Sequence, residues 1–345
     1  MNRYITSLPL RLDKGTLDQV HSQLTDKGVD PGTLKECSLI DNDRGGTFYL
    51  KYERLETVMR VWDSHCSWWS FEFERQGERE IMAIRLAQQT GVECPEVLIS
   101  GQVELAGKSR HYMMSRFVSG AREDEWEDKE PPMRFAKVAV SILEKLKSNS
   151  NLTPQALVAQ GFMKEGERID QFPLPYLPDH SSVLSYLKSK AKEIGEPSVV
   201  DVVEKVEMLF ADVPSLPCGP CLVHSDLHPG NLLLDNSFKL LSVVDWEEAA
   251  ISDIRIDVAQ ACLACLDREL IWDLFEQETG MNLGDKKPWL ALVALMRFMI
   301  SVQIDWYEKM GKEVPDSNLS GWESLCGDAE EILIELNILP NPEAA

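Results

Sequence analysis

The chain has 345 residues, 44% of them hydrophobic, and a formal net charge of −22. Single cores stop growing at about 250–300 residues, so two or three domains or one two-lobed enzyme are expected. The acidity argues against nucleic acid as a partner, which needs clustered Lys and Arg; it serves solubility, or in a cleft a preference for cationic substrates.

Thr16, followed by Leu17, Val20 and Leu24, predicts an amphipathic helix in which Gln19 completes a capping box, with Gly28 and Pro31 ending it. "ECSLID" and "TFYLKYE" flank the polar turn "NDRGG", and "TVMRVW" follows, which reads as an antiparallel meander around a glycine turn. "SWWSFEFERQGEREIMAIRLAQQTG" reads as a charged helix ending at Gly91, and "PEVLIS" and "RHYMMSRFV" as further strands. Residues 1–115 would thus form a β-rich lobe carrying one helix, and residues 116–120 a hinge.

Beyond Gly120 the composition changes. "AREDEWEDKEPP" reads as a linker or exposed cap, and "MRFAKVAVSILEKLKSN" as a helix. A Pro-rich loop leads to helices near Ser181–Lys192 and Pro197–Phe210, then short strands, then helical stretches at Arg255–Cys265, Pro288–Lys309 and Trp322–Leu336. The expected class is α+β, with residues 121–345 forming a mainly helical second lobe. No apolar run approaches the ~20 residues that span a bilayer. "MNRYITSLPLRLDKG" lacks a signal-peptide core, so a soluble, cytoplasmic protein with no membrane partner is the expectation. Two CxxC pairs, Cys218/Cys221 and Cys262/Cys265, have the spacing of a redox or zinc motif. The first precedes a strand rather than a helix and the second lies in an apolar helical run, so ordinary buried cysteine is the better reading.

The chemistry concentrates in "LVHSDLHPGNLLLD", Leu222 to Asp235. Asp226 is followed five positions later by Asn231, and Asp245 comes fourteen beyond that. "NLLLD" and "KLLSVVD" read as strands joined by the tight turn "DNSF", which would bring Asn231 and Asp245 to one end of a hairpin. Two oxygen donors held together suit Mg²⁺, which completes its shell with water and phosphate. Asp226 beside them could accept a proton from an attacking hydroxyl. His224, Asp226, Asn231 and Asp245 match the H-x-D-x-x-x-x-N and metal-Asp pattern of phosphoryl-transfer enzymes. A polar turn between strands would explain Asp226 or Asn231 alone, but not a second carboxylate at the right offset.

"HSDLHPGN…VVDWE" resembles the aminoglycoside phosphotransferase and choline kinase superfamily, the small-molecule relatives of protein kinases. The resemblance covers roughly Cys37 to Ala264 and implies a two-lobed protein-kinase-like fold. It implies that Arg60 in "TVMRVW" contacts the α- and β-phosphates, where protein kinases use Lys; Arg keeps the charge and adds a planar fork. It makes Glu80 the acid that pairs with Arg60. It places the hinge at "HYMMSRFVSG", with backbone groups of Ser115 and Phe117 on a purine edge and Met113 or Met114 behind it. "NDRGGT" would be the nucleotide-covering loop through Gly45 and Gly46, although it lacks G-x-G-x-x-G. Asp257 would support the catalytic loop, and His224 would brace it. The family often has Gly where Ser225 stands.

The implied enzyme uses ATP and Mg²⁺ to phosphorylate a hydroxyl of a small molecule. Asp226 and His224 would be catalytic, and Asn231 and Asp245 would hold the metal, with Glu247 reaching a second ion. His228 faces acceptor or solvent. Acidic and aromatic residues, Glu123, Asp124, Glu125 and Trp126, then Asp305, Trp306, Tyr307 and Glu308, lean toward a cationic amino alcohol or aminoglycoside-like acceptor. Trp68 and Trp69 read as core rather than a lid. A nucleotide-binding pseudokinase scaffold and a protein kinase are the alternatives. The three intact acid and amide groups weigh against the first, and the missing glycine pattern and Ala-Pro-Glu segment against the second.

Overall fold

A computed structural model describes residues 11–41, 45–62, 76–105, 107–122, 131–214, 219–265, 268–309 and 328–340. The first element among the described residues is α1 (Lys14–Asp26). Its N-cap is Asp13, whose carboxylate accepts from the Thr16 N–H at 2.7 Å, so the expected capping box at Thr16 is displaced one turn earlier. Thr16 lies inside the helix and is buried, while Gln19 donates to the Gln102 carbonyl. Both Asp and Thr are good caps; the apolar spacing alone does not say which of two candidates is used. Gly28, with φ +80°, supplies the left-handed residue that ends the helix.

β1 (Leu34–Asp41), β2 (Gly45–Tyr52), β3 (Glu56–Trp62), β4 (Val97–Leu105) and β5 (Lys108–Arg116) form one antiparallel sheet in the order β1-β2-β3-β5-β4. Alternation in β3 turns Thr57, Met59 and Val61 inward and leaves Val58 and Arg60 on the other face. The inward residues join Val20, Leu24, Leu50 and Met114 in a small core under α1. α2 (Gln76–Gln89) does not belong to that core. Its buried residues Ala83, Ile84, Leu86 and Ala87 sit in the larger cluster that fills the second lobe. The segment after α2 is tied there too, since the Val243 N–H donates to the Glu93 carbonyl at 2.7 Å.

The second lobe is mainly helical. β6 (Ala121–Arg122) precedes α3 (Pro131–Ser148), α4 (Pro154–Ala159), α5 (His180–Ile194) and α6 (Pro197–Leu209). Asp179 caps α5 through the Ser182 N–H, and Gly195 at φ +77° closes it. β7 (Cys221–Val223), β8 (Leu232–Leu234), β9 (Leu240–Val243) and β10 (Ala250–Ser252) are short; β6-β8-β9 make one small sheet and β7-β10 another. α7 (Arg255–Leu263), α8 (Leu270–Thr279) and α9 (Lys287–Lys309) follow, and 328–335 are helical. α4 and α8 are not apparent from periodicity because they are short: α8 buries just Ile271, Trp272 and Phe275. Among the described residues, no helix is long and apolar enough to cross a membrane.

Candidate active site

β7 delivers the chain into the loop that was singled out. The β8–β9 hairpin pairs Leu232 with Val243 and closes with a bond from the Val244 N–H to the Asn231 carbonyl at 3.0 Å. That bond sets Asn231 beside Asp245, as the spacing predicted. Asp235 makes the turn, accepting from the Ser237 and Lys239 N–H groups.

The loop is fixed by directional hydrogen bonds. Asp257, on the first turn of α7 and fully buried, accepts from the His224 N–H at 2.6 Å and the Ser225 N–H at 2.7 Å. Burial pushes its carboxyl up to about 7, against the pull of those two bonds. The His224 ring is also buried. Its Nε2 faces the Val244 carbonyl at 3.0 Å and its Nδ1 accepts from the Asp226 N–H at 3.3 Å, which assigns the proton to Nε2. Burial holds the imidazole below its ordinary pKa, so this ring braces the loop as a neutral group. Ser225 takes φ +69°, a left-handed position natural to glycine.

Asp226 is about one-third exposed, at 32%. Asn231 Nδ2 donates to its backbone carbonyl at 2.9 Å and to its carboxylate at 3.2 Å. Burial opposes ionisation of Asp226, but His228 and the Arg297 guanidinium outweigh it and hold the group well below the usual carboxylate range. His228 Nε2 lies 3.5 Å from the Asp226 carboxylate, while its Nδ1 accepts from the Gly230 N–H. His228 therefore faces the Asp226 carboxylate, a placement its sequence position left open. Arg297 and Gln260 are the site residues that spacing missed. The Gln260 amide lies between them: in one orientation Nε2 is 3.3 Å from Asp226, in the other its oxygen accepts from Arg297 Nε at 3.3 Å. The second orientation satisfies the guanidinium. The available signal was a lone charge in the apolar run "WLALVALMRFMISV".

Across the cleft, Arg60 on β3 meets three carboxylates. Nη1 donates to Asp245 at 2.7 Å and to Glu80 at 3.3 Å, and Nη2 donates to Glu247 at 2.6 Å. Burial disfavours the charge on Arg60, but Glu247, Glu80 and Asp245 hold its pKa far above the ordinary value. Burial lifts Glu80 to about 8 although Arg60 pulls it down. Arg79, beside Glu80 on α2, donates to the Glu247 carbonyl at 3.4 Å, and Glu80 accepts from the Trp246 N–H, so α2 grips the 245–247 turn at two places. Asp245 is held at φ +65°.

A cleft of about 260 Å³ runs between these groups, lined by Thr47, Val58, Arg60, Met113, Ser115, Phe117, Asn231 and Asp245. Met113 faces it, whereas Met114 is buried in the small core. Ser115 pairs with Val58 and Val97. The Phe117 N–H donates to the Glu56 carbonyl at 3.0 Å, so in this arrangement that donor is already engaged. Gly45 and Gly46 are strand residues opposite Trp62 and Val61, not cleft lining among the described residues. Trp68, Trp69 and Glu123–Trp126 lie outside the described residues, as do the side chains of Tyr307 and Glu308. Asp305 is exposed, and Trp306 packs on the larger core. Cys221, Cys262 and Cys265 are buried and outside any disulfide, and no three-residue metal cluster of His, Cys, Asp or Glu occurs among the described residues.

The donor set still fits a magnesium ion. Asn231 spends its Nδ2 on Asp226, which leaves Oδ1 as the acceptor beside the 35%-exposed Asp245. Mg²⁺ needs few protein oxygens when water and phosphate supply the rest.

A family model described as the phosphotransferase enzyme family matches residues 37–283. The chain belongs to that family. It is accordingly a phosphotransferase that acts on hydroxyl groups of small molecules. Solved structures share the fold. A Ralstonia eutropha protein provisionally named an aminoglycoside phosphotransferase is 17% identical, with TM-score 0.63, covering 95% of this chain and 99% of its own. A choline/ethanolamine kinase family protein from Mesorhizobium loti is 14% identical, with TM-score 0.59, over 95% and 96%. Spectinomycin phosphotransferase, in complex with ADP and spectinomycin, is 14% identical, with TM-score 0.58, over 93% and 98%. No protein of curated function matches the sequence.

Proposed function

We propose that this phosphotransferase moves the γ-phosphoryl group of ATP, carried with Mg²⁺, onto a hydroxyl of a small molecule. The observation that carries the reading is that Asn231 and Asp245 line one cleft with Arg60, while Asn231 is hydrogen-bonded to the Asp226 carboxylate. ATP supplies the phosphoryl group, and the metal neutralises charge on it. Everything else is positioning, the main lever in such transfers. Asp226, kept ionised, accepts the hydroxyl proton. His224 holds the Asp226 backbone, and Asn231 fixes its carboxylate while offering its amide oxygen with Asp245 to the ion. Glu247 stands ready for a second ion. Arg60 binds phosphate oxygens, steadied by Glu80.

A solved relative bound to ADP and spectinomycin supports a nucleotide and a small polar acceptor. The chain's acid excess favours a cationic amino alcohol or aminoglycoside-like acceptor. Described cysteines outside disulfides, together with ATP use, fit a cytoplasmic setting. The test is ADP release across a panel of amines, sugars and amino alcohols with Mg·ATP. Stimulation by a member of the panel is expected. Tight ATP binding with no stimulation by any acceptor would instead favour a nucleotide-binding scaffold.

A further inference from the structure

Arg60 is placed where two tasks conflict. One guanidinium serves three carboxylates, and its two terminal nitrogens are divided among them: Nη1 between Asp245 and Glu80, Nη2 on Glu247. Glu247 and Glu80 are nearly inaccessible, with side-chain exposures of 1% and 5%. One oxygen of each of Asp245 and Glu247, Oδ1 and Oε2, accepts from an Arg60 N–H donor, at 2.7 and 2.6 Å. These are the same carboxylates proposed above for divalent ions. A carboxylate oxygen that accepts a short charge-assisted bond from a guanidinium is poorly placed to bind a cation as well, and the two positive charges repel.

We propose that Arg60 competes with the divalent cation for Asp245 and Glu247, so that the ion enters with the nucleotide and not ahead of it. The inference rests on the metal reading of the proposed function. The means of release are built in. A polyphosphate is a stronger draw for a planar fork than one carboxylate is. Glu80 remains as a partner at 3.3 Å when Nη1 leaves Asp245. The Trp62 ring, 5.6 Å from Arg60 Cζ, offers a further face for the cation. Arg60 would then be both the phosphate ligand and the group that keeps free metal out.

The probe is Mn²⁺ followed by electron paramagnetic resonance of the free aquo ion, with no acceptor and no turnover. Without nucleotide, the wild-type protein should bind Mn²⁺ at least about tenfold more weakly than Arg60→Gln, the smaller end of what one charge-assisted bond contributes. Asp245→Asn in the Arg60→Gln background should remove the gain. With ADP present, the order should reverse, wild type binding the Mn²⁺ complex more tightly than Arg60→Gln. Thermal melts check folding, and Arg60→Lys, which keeps the charge but loses the fork, should give an intermediate gain if the Gln variant fails to fold. Equal affinity of wild type and variant for free Mn²⁺ would overturn the competition, while wild-type binding of the Mn²⁺–ADP complex would leave the phosphotransfer reading standing. No binding of that complex, with no effect of Asp245→Asn, would sink both.

Discussion

The two polar clusters that face each other across the cleft are built on different principles. The catalytic loop is held by directional bonds to backbone groups: two N–H groups on Asp257, a neutral His224 between Val244 and Asp226, an amide on Asp226. Each of those bonds has one geometry. The Arg60 cluster is held by charge, with donors shared among Glu80, Asp245 and Glu247. Charges tolerate exchange of partners where directional networks do not. The comparison teaches that Asp226, the proposed base, is fixed in advance, while Arg60 and its carboxylates, the proposed phosphate and metal groups, are arranged to re-pair.

The sharpest way to break the comparison is at its chemical end. Asp226→Asn should lower turnover by about 10²–10⁴-fold, the range for a general base, with nucleotide affinity by calorimetry unchanged. Intact turnover would remove Asp226 from the mechanism. The next effect is on folding. Asp257→Ala would orphan two buried N–H groups that now bond at 2.6 and 2.7 Å. At about 1–3 kcal/mol each, urea unfolding should show a loss of about 2–6 kcal/mol.

Glu80→Gln probes the other cluster, where less is expected. Gln is the neutral isostere of the protonated acid, and Arg60 keeps Asp245 and Glu247. At pH 5 the stability change should stay under about 1 kcal/mol. Burial raises Glu80 from 4.5 to about 8, so the folded state binds the proton more tightly than the unfolded one. Wild type should then lose stability relative to the variant as pH rises between those values. Melts at pH 5 and pH 8 read this directly. A loss as large as that of Asp257→Ala would mean that both clusters are equally rigid.

The same contrast decides what the sequence revealed. The hairpin that joins Asn231 to Asp245 was legible because two apolar runs and a turn sit at fixed offsets, and local bonds then follow. The meander of β1, β2 and β3 was legible for the same reason. Arg297 was not, because it reaches Asp226 from α9, seventy-one positions away, and only packing of α7 against α9 brings them near. The engagement of Phe117 with Glu56 was equally hidden: it depends on how far β3 keeps pairing with β5 before the chain departs. The placement of α2 in the larger core came from tertiary packing that its own charged pattern does not encode. Short helices α4 and α8 carry too few turns to display a period.

Ser225→Gly tests whether the rigidity of the loop around Asp226 is achieved at some conformational cost. Ser225 holds φ +69° without being glycine, and its hydroxyl is buried with no hydrogen-bond partner. The left-handed conformation costs a non-glycine residue about 1–2 kcal/mol, and an unpaired hydroxyl adds to that. Ser225→Gly removes both penalties and gives back about 0.4–1 kcal/mol through the freer unfolded chain. A net gain of about 1 kcal/mol should appear as a melting temperature about 2 °C higher, with turnover unchanged because the two N–H bonds to Asp257 survive. Asp245 shares the strain at φ +65°. Asp245→Gly should relieve it as well, yet abolish metal-dependent turnover, because there the side chain is the reason for the conformation. A fall in stability for Ser225→Gly would show that the loop is set by its bonds alone, with no strain held in its backbone.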